Sequence, residues 1–114
     1  MEWHFDDNMP IYTQLVYQIK FAIVSGELSP GERMAGVRDL AADAGVNPNT
    51  MQRALQQLER EGLVFTQRSS GRFITEDTAV IGEAKRTLAR QHIEQFMASM
   101  KKLGYTREEI IALL

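Results

Sequence analysis

The residues best suited to chemistry in this sequence lie between Gly45 and Gly62, in the stretch GVNPNTMQRALQQLEREG. Apolar residues recur there at the three-and-four spacing of a helix that packs on a core, namely Met51, Ala54, Leu55 and Leu58. A helix turns about 100° per residue, so its opposite side carries amides and arginines, namely Asn49, Arg53, Gln56 and Arg60. Such groups can pair with base edges and phosphates. A solvated helix face has a similar composition, so the flanking segments must decide between the two interpretations.

The start of this stretch predicts a tight turn followed by a helix. Gly45 supplies the backbone freedom that the turn needs, Asn47 is a favourable N-cap, and Pro48 falls on the first helical position. A shorter helix, predicted over residues 37–44, precedes the turn. Two helices joined by a glycine-containing turn, the second with a polar outer face, predict a helix-turn-helix.

An N-terminal arm and a first helix come before this pair. Pro10 opens the helix at a permitted position, and an apolar face of about fifteen residues' length follows it. The members of that face are Ile11, Leu15, Ile19, Ala22 and Ile23. Residues 1–9 predict a short extended arm that Trp3 and Phe5 pin to the body of the protein.

A change to period two after Gly62 predicts a β-hairpin. Two short β-prone runs, at residues 63–67 and 72–75, are joined by Arg68-Ser69-Ser70-Gly71. Three helices followed by such a hairpin predict a winged helix, in which Arg68 and Arg72 approach phosphate or the minor groove. Surface arginines also occur on hairpins that bind nothing, so this feature is supporting evidence only.

A second amphipathic segment begins near residue 77 and predicts a helical hairpin. Its apolar stripe runs in steps of three or four through Ile81, Ala84, Leu88, His92, Phe96, Met100 and Leu103. Thr106-Arg107-Glu108-Glu109 is a capping box, which starts a last short helix bearing Ile110, Ile111, Leu113 and Leu114. Of these, Ile110 and Leu113 are assigned to the interface together with the stripe. Because two helices cannot bury these faces alone, we expect them to form a dimer interface with a second copy of the chain. Packing back on the winged helix is the alternative.

The composition and the motifs argue against several classes of protein. The chain has 114 residues and no cysteine, which excludes disulfides and thiolate chemistry. No Gly-rich phosphate loop follows a strand, no carboxylate pair lies in a plausible cleft, and the two histidines lie in unrelated segments, so we expect no enzyme, cofactor or metal. His92 is interpreted as a polar residue satisfied in the dimer core. Short apolar runs and the absence of a secretory signal predict a cytoplasmic location.

Charge by itself does not indicate a nucleic-acid partner. The net charge is −2, whereas nonspecific nucleic-acid binders are normally basic. Residues 37–75 carry five arginines and four acidic side chains, a balance of +1. A winged helix that binds a protein partner is therefore the alternative to one that binds DNA. The pattern predicts a mainly α fold with a small β-hairpin: a winged helix-turn-helix domain over residues 1–76 and a two-helix dimerisation segment over residues 77–114.

The segments PIYTQLVYQIKFAIVSGELSPGERM and VRDLAADAGVNPNTMQRALQQLEREGLVFTQRSSGRFI resemble the GntR family of bacterial transcription regulators. The resemblance covers about residues 10–75, and the short two-helix tail is similar to the YtrA subfamily. It implies a homodimeric repressor that binds an inverted repeat in DNA and regulates its own operon, which in this subfamily often encodes an ABC transporter. Some members have no identified effector, and no residue here identifies a small-molecule effector.

The resemblance also implies which residues contact DNA. It places a phosphate or guanine contact on Arg38 and the wing tip on Arg68 and Gly71. It places the recognition helix's contacts on Asn47, Pro48, Asn49, Thr50, Gln52 and Arg53. Two departures stand out. The family usually has Leu-Pro-Ser where this chain has Met34-Ala35-Gly36, so the serine that would cap the second helix is absent. The wing reads RSSGR, which is less basic than in many relatives. We expect weaker backbone contact and greater reliance on dimerisation as a result.

Overall fold

The computed structural model describes all residues from 1 to 114. In chain order the elements are α1 (Ile11–Val24), α2 (Val37–Ala44), α3 (Pro48–Arg60), β1 (Val64–Gln67), β2 (Gly71–Ile74), α4 (Thr78–Lys102) and α5 (Arg107–Leu113). The prediction of a mainly α fold with one small hairpin is confirmed. The chain divides into two compact units, which we call unit 1 (Met1–Ala84) and unit 2 (Lys85–Leu114). Helix α4 contributes residues to both.

The core of unit 1 is formed by the apolar faces that the sequence pattern identifies. From α1, α3 and the hairpin it includes Leu15, Ile19, Ile23, Met51, Ala54, Leu55, Leu58, Leu63, Val64 and Ile74, all essentially inaccessible to solvent. The first turns of α4 also pack on this core through Val80, Ile81 and Ala84. The expected boundary between residues 76 and 77 therefore lies within unit 1, because these three side chains complete its core.

The turn between α2 and α3 follows from its sequence. Gly45 adopts the left-handed conformation at φ +72°, and the Val46 N–H donates to the Ala41 carbonyl at 2.9 Å. The Asn47 side chain accepts a hydrogen bond from the Asn49 N–H at 2.7 Å, and Pro48 occupies the first helical position. The predicted cap is thus present, and it fixes the direction in which α3 leaves the turn.

The wing contains one more element than the sequence pattern predicts. Strands β1 and β2 pair antiparallel from Val64 opposite Ile74 to Gln67 opposite Gly71. Arg33 forms an additional antiparallel bridge with Phe73. The segment before α2 therefore lies along β2. Its single bridge is too short to produce a periodic apolar pattern.

The N-terminal arm lies against the helices of unit 1, as the sequence predicts. Trp3 and Phe5 pack against the core, and the Trp3 Nε1–H donates to Asp43 Oδ2 at 2.8 Å. The Gln18 amide bonds both the N–H and the carbonyl of His4, at 3.1 and 2.8 Å. These contacts hold the arm on α1 and α2.

Unit 2 contains the remainder of α4 and the short helix α5. The predicted capping box is present: Thr106 Oγ1 accepts from the Glu109 N–H at 3.2 Å, and Glu109 Oε1 accepts from the Thr106 N–H at 2.9 Å. Leu88 and Ile110 are buried within the single chain. None of the five helices combines the length and apolar content that a membrane span requires.

Candidate nucleic-acid interface

The outer face of α3 is accessible, as a reading face must be. Asn47, Pro48, Asn49 and Arg53 are exposed, whereas Thr50 and Gln52 are half-buried. These side chains project from a helix whose other side is anchored by residues of the core. The structure therefore presents amide and guanidinium groups from one rigid element.

Arg53 is positioned by a residue from α1. Its guanidinium carbon lies 4.0 Å from the centroid of the Tyr12 ring, a cation–π contact. The Tyr12 hydroxyl in turn donates to Gln57 Oε1 at 3.4 Å. The side chain of Arg53 is thus directed toward α1, while Gln52 lies on the other side of α3, beside the wing.

Arg60 is engaged within its own helix. Its Nε and Nη2 donate to Gln57 Oε1 at 3.1 and 2.7 Å. The Gln57 amide donates to Glu61 Oε2 at 2.9 Å, and Glu61 pairs with Lys20 of α1. This network ties the end of α3 to α1, so Arg60 supports the helix as well as being exposed.

Helix α2 begins without a side-chain cap, which agrees with the loss of serine inferred from the sequence. Gly36 occupies the N-cap position in an extended conformation and makes no side-chain hydrogen bond. Arg38, the second residue of the helix, is exposed. It lies in the first turn, where the positive end of the helix dipole favours anions.

The two arginines of the wing have different surroundings. Arg68 is exposed at the tip, and Gly71 follows it with φ +104°. Arg72, predicted to approach DNA, instead donates from Nε to Glu59 Oε1 at 2.8 Å. Thr66 of β1 donates its hydroxyl to the same oxygen. Arg72 therefore braces the wing against the end of α3.

The contacts with Thr66 and Arg72 change the pKa of the Glu59 carboxyl. Burial alone raises the pKa of Glu59, but the hydrogen bonds from Thr66 and Arg72, together with the charge of Arg72, lower it more. The pKa therefore lies below its ordinary value. Glu59 stays charged at neutral pH, which keeps the Arg72 guanidinium paired.

The residues expected to form the dimer interface fall into three groups. Ile81 and Ala84 pack on the core of unit 1, and Leu88 and Ile110 are buried within the chain. Met100 is half-buried, and His92 is exposed with a partner of its own. Phe96, Leu103 and Leu113 are exposed. Only the last group offers a large apolar surface to a second copy.

Unit 2 exposes further large apolar side chains that the stripe does not include. They are Ile93, Tyr105, Ile111 and Leu114. Ile93 lies three residues before Phe96, so its place beside Phe96 on the helix surface could be predicted from the helical spacing. Ile111 is adjacent to the buried Ile110, and in so short a helix the sequence alone does not tell which of the two faces inward.

Comparison with known proteins agrees with this geometry. The family described as bacterial regulatory proteins, gntR family, matches residues 11–74. The HTH-type transcriptional regulator YhcF of Bacillus subtilis is 41% identical over 111 residues, which cover 97% of this chain and 92% of that protein. The HTH-type transcriptional repressor YtrA of the same organism is 33% identical over 104 residues, covering 90% and 80%.

A solved structure shares the fold over almost the whole chain. A GntR family transcriptional regulator from Listeria monocytogenes superposes with a TM-score of 0.88 at 41% identity, covering 96% of both chains. Its similarity extends beyond the winged helix into the two-helix tail. The chain therefore belongs to the GntR family of bacterial transcription regulators, as a YtrA-like member with a DNA-binding winged helix-turn-helix.

Proposed function

We propose that this protein is a homodimeric, sequence-specific repressor that binds an inverted repeat upstream of its own operon, which encodes an ABC transporter. The outer face of α3 is the observation that carries the proposal. It presents Asn49, Gln52 and Arg53 on the accessible side of one helix, which lies between α1 and the wing. Amides and arginines can form the bidentate contacts by which adenine and guanine are read in the major groove.

The proposed contacts fall on three elements. Arg38 and Arg68 contact phosphates, and the wing backbone at Gly71 approaches the minor groove. The remaining contacts come from the turn before α3 and from its first turns, at Asn47, Pro48, Asn49, Thr50, Gln52 and Arg53. We assign DNA binding to residues 1–76 and dimerisation to residues 77–114, of which Val80, Ile81 and Ala84 also pack on the core of unit 1.

Dimerisation is supported by the apolar surface of unit 2. Phe96, Leu103 and Leu113 are exposed there together with Ile93 and Ile111. Exposed apolar groups in this density are typical of surfaces that bind a partner. A two-fold dimer matches the symmetry of an inverted repeat, with half-sites about one helical turn apart or somewhat more. The repressor name of the relative YtrA supports the direction of regulation.

A salt-titrated mobility shift tests this function. The DNA is the segment upstream of the protein's own gene, and the control is a scrambled duplex of equal length and composition. We expect retardation of the upstream DNA at protein concentrations that leave the scrambled duplex free, and a steep loss of binding as salt is added. Equal retardation of both duplexes would contradict sequence specificity. Retardation of neither duplex, even at low salt, would favour the protein-interaction alternative.

A further inference from the structure

The backbone of Arg33 is fixed to the wing. Arg33 bridges Phe73 of β2, the Met34 N–H donates to the Arg72 carbonyl at 2.8 Å, and the Ile74 N–H donates to the Glu32 carbonyl at 2.9 Å. Hydrogen bonds therefore hold the chain on both sides of Arg33. Its side chain starts from a position as rigid as the strands themselves.

The guanidinium of Arg33 lies against the bare backbone of Gly71. A Cβ atom at Gly71 would lie 3.3 Å from Arg33 Nε and 3.5 Å from Nη2. Gly71 also adopts φ +104°, which other residues rarely do. The glycine thus serves two purposes, since it permits the wing turn and leaves space for the arginine beside it.

Arg33 lines an open cleft of about 250 Å³ where the wing meets α3 and the start of α2. The cleft is also lined by Gln52 of α3, by Gly36 at the start of α2 and by Arg72 of β2. These are the three elements to which the proposed function assigns DNA contacts. A strand of DNA that reaches both the wing and α3 passes this cleft.

The two arginines that line the cleft differ in whether a carboxylate pairs with their guanidinium group. Arg72 is paired with Glu59, and its side chain is only 17% exposed. Arg33 is exposed, and it takes part in none of the ion pairs His4–Glu2, Lys20–Glu61 and Arg72–Glu59. The cleft therefore contains one guanidinium whose charge is not used within the protein.

We propose that Arg33 binds a phosphodiester of the DNA backbone, in the role that the sequence pattern assigns to Arg72. The proposal rests on the proposed function and adds a contact to it. A guanidinium fork matches the geometry of two phosphate oxygens, and phosphate contacts add affinity for every sequence without adding specificity. Arg33 contributes to the position of the DNA between the wing and α3, whereas Arg72 maintains the position of the wing.

The test is a salt titration of DNA binding by fluorescence anisotropy, on the upstream DNA and on the scrambled duplex. For Arg33→Gln we expect the slope of log K against log salt to become shallower by about 0.9 for each lost phosphate contact, which is about 2 for a dimer. The affinity should fall by the same factor on both duplexes. Arg33→Lys should keep most of the slope. Arg107→Gln, which removes an exposed positive charge from unit 2, is the matched control and should leave the slope unchanged.

Two results would overturn the proposal. One is an unchanged salt slope for Arg33→Gln, and the other is a loss confined to the upstream DNA, which would make Arg33 a base-reading residue. Arg33→Met, which keeps the aliphatic length beside the sheet but removes the charge, provides a second neutral variant if Arg33→Gln melts at a lower temperature. A wild-type protein that does not prefer the upstream DNA would contradict the proposed function, while the slopes on both duplexes would still test Arg33.

Discussion

Ile110 and Ile111 are neighbours in α5, one buried and the other exposed. Substitutions at the two positions should therefore distinguish an effect on folding from an effect on the proposed dimerisation. Ile110 is 1% exposed and Ile111 is 58% exposed. Truncation of Ile110 removes a buried side chain, whereas truncation of Ile111 removes exposed apolar surface that the proposed dimer would cover. We therefore expect Ile111→Ala to weaken the dimer and Ile110→Ala to weaken the fold.

The size of the first effect follows from the exposed area. Full burial of an aliphatic side chain is worth about 1.5–3 kcal/mol, so covering the exposed part of Ile111 is worth about 1 kcal/mol more than covering alanine. A two-fold interface contains the residue twice, which gives about 2 kcal/mol and a dissociation constant about 30-fold higher. Ile111→Asp also desolvates a carboxylate, at several kcal/mol per copy, and should leave the chain monomeric at micromolar concentration.

Sedimentation velocity over a dilution series measures the dissociation constants, and thermal melting measures stability. Ile110→Ala should cost about 2–5 kcal/mol of folding free energy, the range for truncation of a buried isoleucine. Met9→Ala, an exposed apolar truncation in the N-terminal arm, controls for nonspecific effects and should leave the dimer intact. The reasoning fails if the wild-type chain sediments as a monomer at micromolar concentration, or if Ile111→Asp remains dimeric.

Three further predictions concern the DNA-binding domain. Because the pKa of Glu59 is lowered in the folded state, its contribution to stability is complete above the ordinary value of 4.5 and is lost as the pH falls through the lowered pKa. Glu59→Gln should therefore flatten the dependence of melting temperature on pH below that value. An unchanged pH dependence would contradict a stabilising role for the Arg72–Glu59 pair. Arg53→Ala should cost about 1–3 kcal/mol of operator binding and relax specificity at one base pair, and Tyr12→Leu should reproduce part of this loss; equal losses on scrambled DNA would count against base reading by Arg53. Ala35→Pro combined with Gly36→Ser restores the cap of α2 and should tighten operator binding, which a titration showing unchanged affinity would refute.

The elements of the fold could be predicted because their signals are local. The apolar face of α3, its Asn47 cap and the capping box at Thr106 each depend on residues within one or two turns of one another. Helical periodicity and capping chemistry act over that distance, so the pattern of residues contains them directly. The bridge at Arg33 was not predicted, because one residue paired across a sheet has no periodicity.

The sequence by itself determined the winged helix, its reading helix and the family. It could not determine which charged groups remain available to a partner. Arg72 and Glu59 are 13 residues apart and Arg53 contacts Tyr12 from a different helix, so both pairings exist only because α3 packs against the wing on one side and α1 on the other. The tertiary structure decided that Arg72 is paired with Glu59 while the guanidinium of Arg33 is left without a carboxylate partner, because the neighbours of an ionic group are brought together by packing rather than by sequence order.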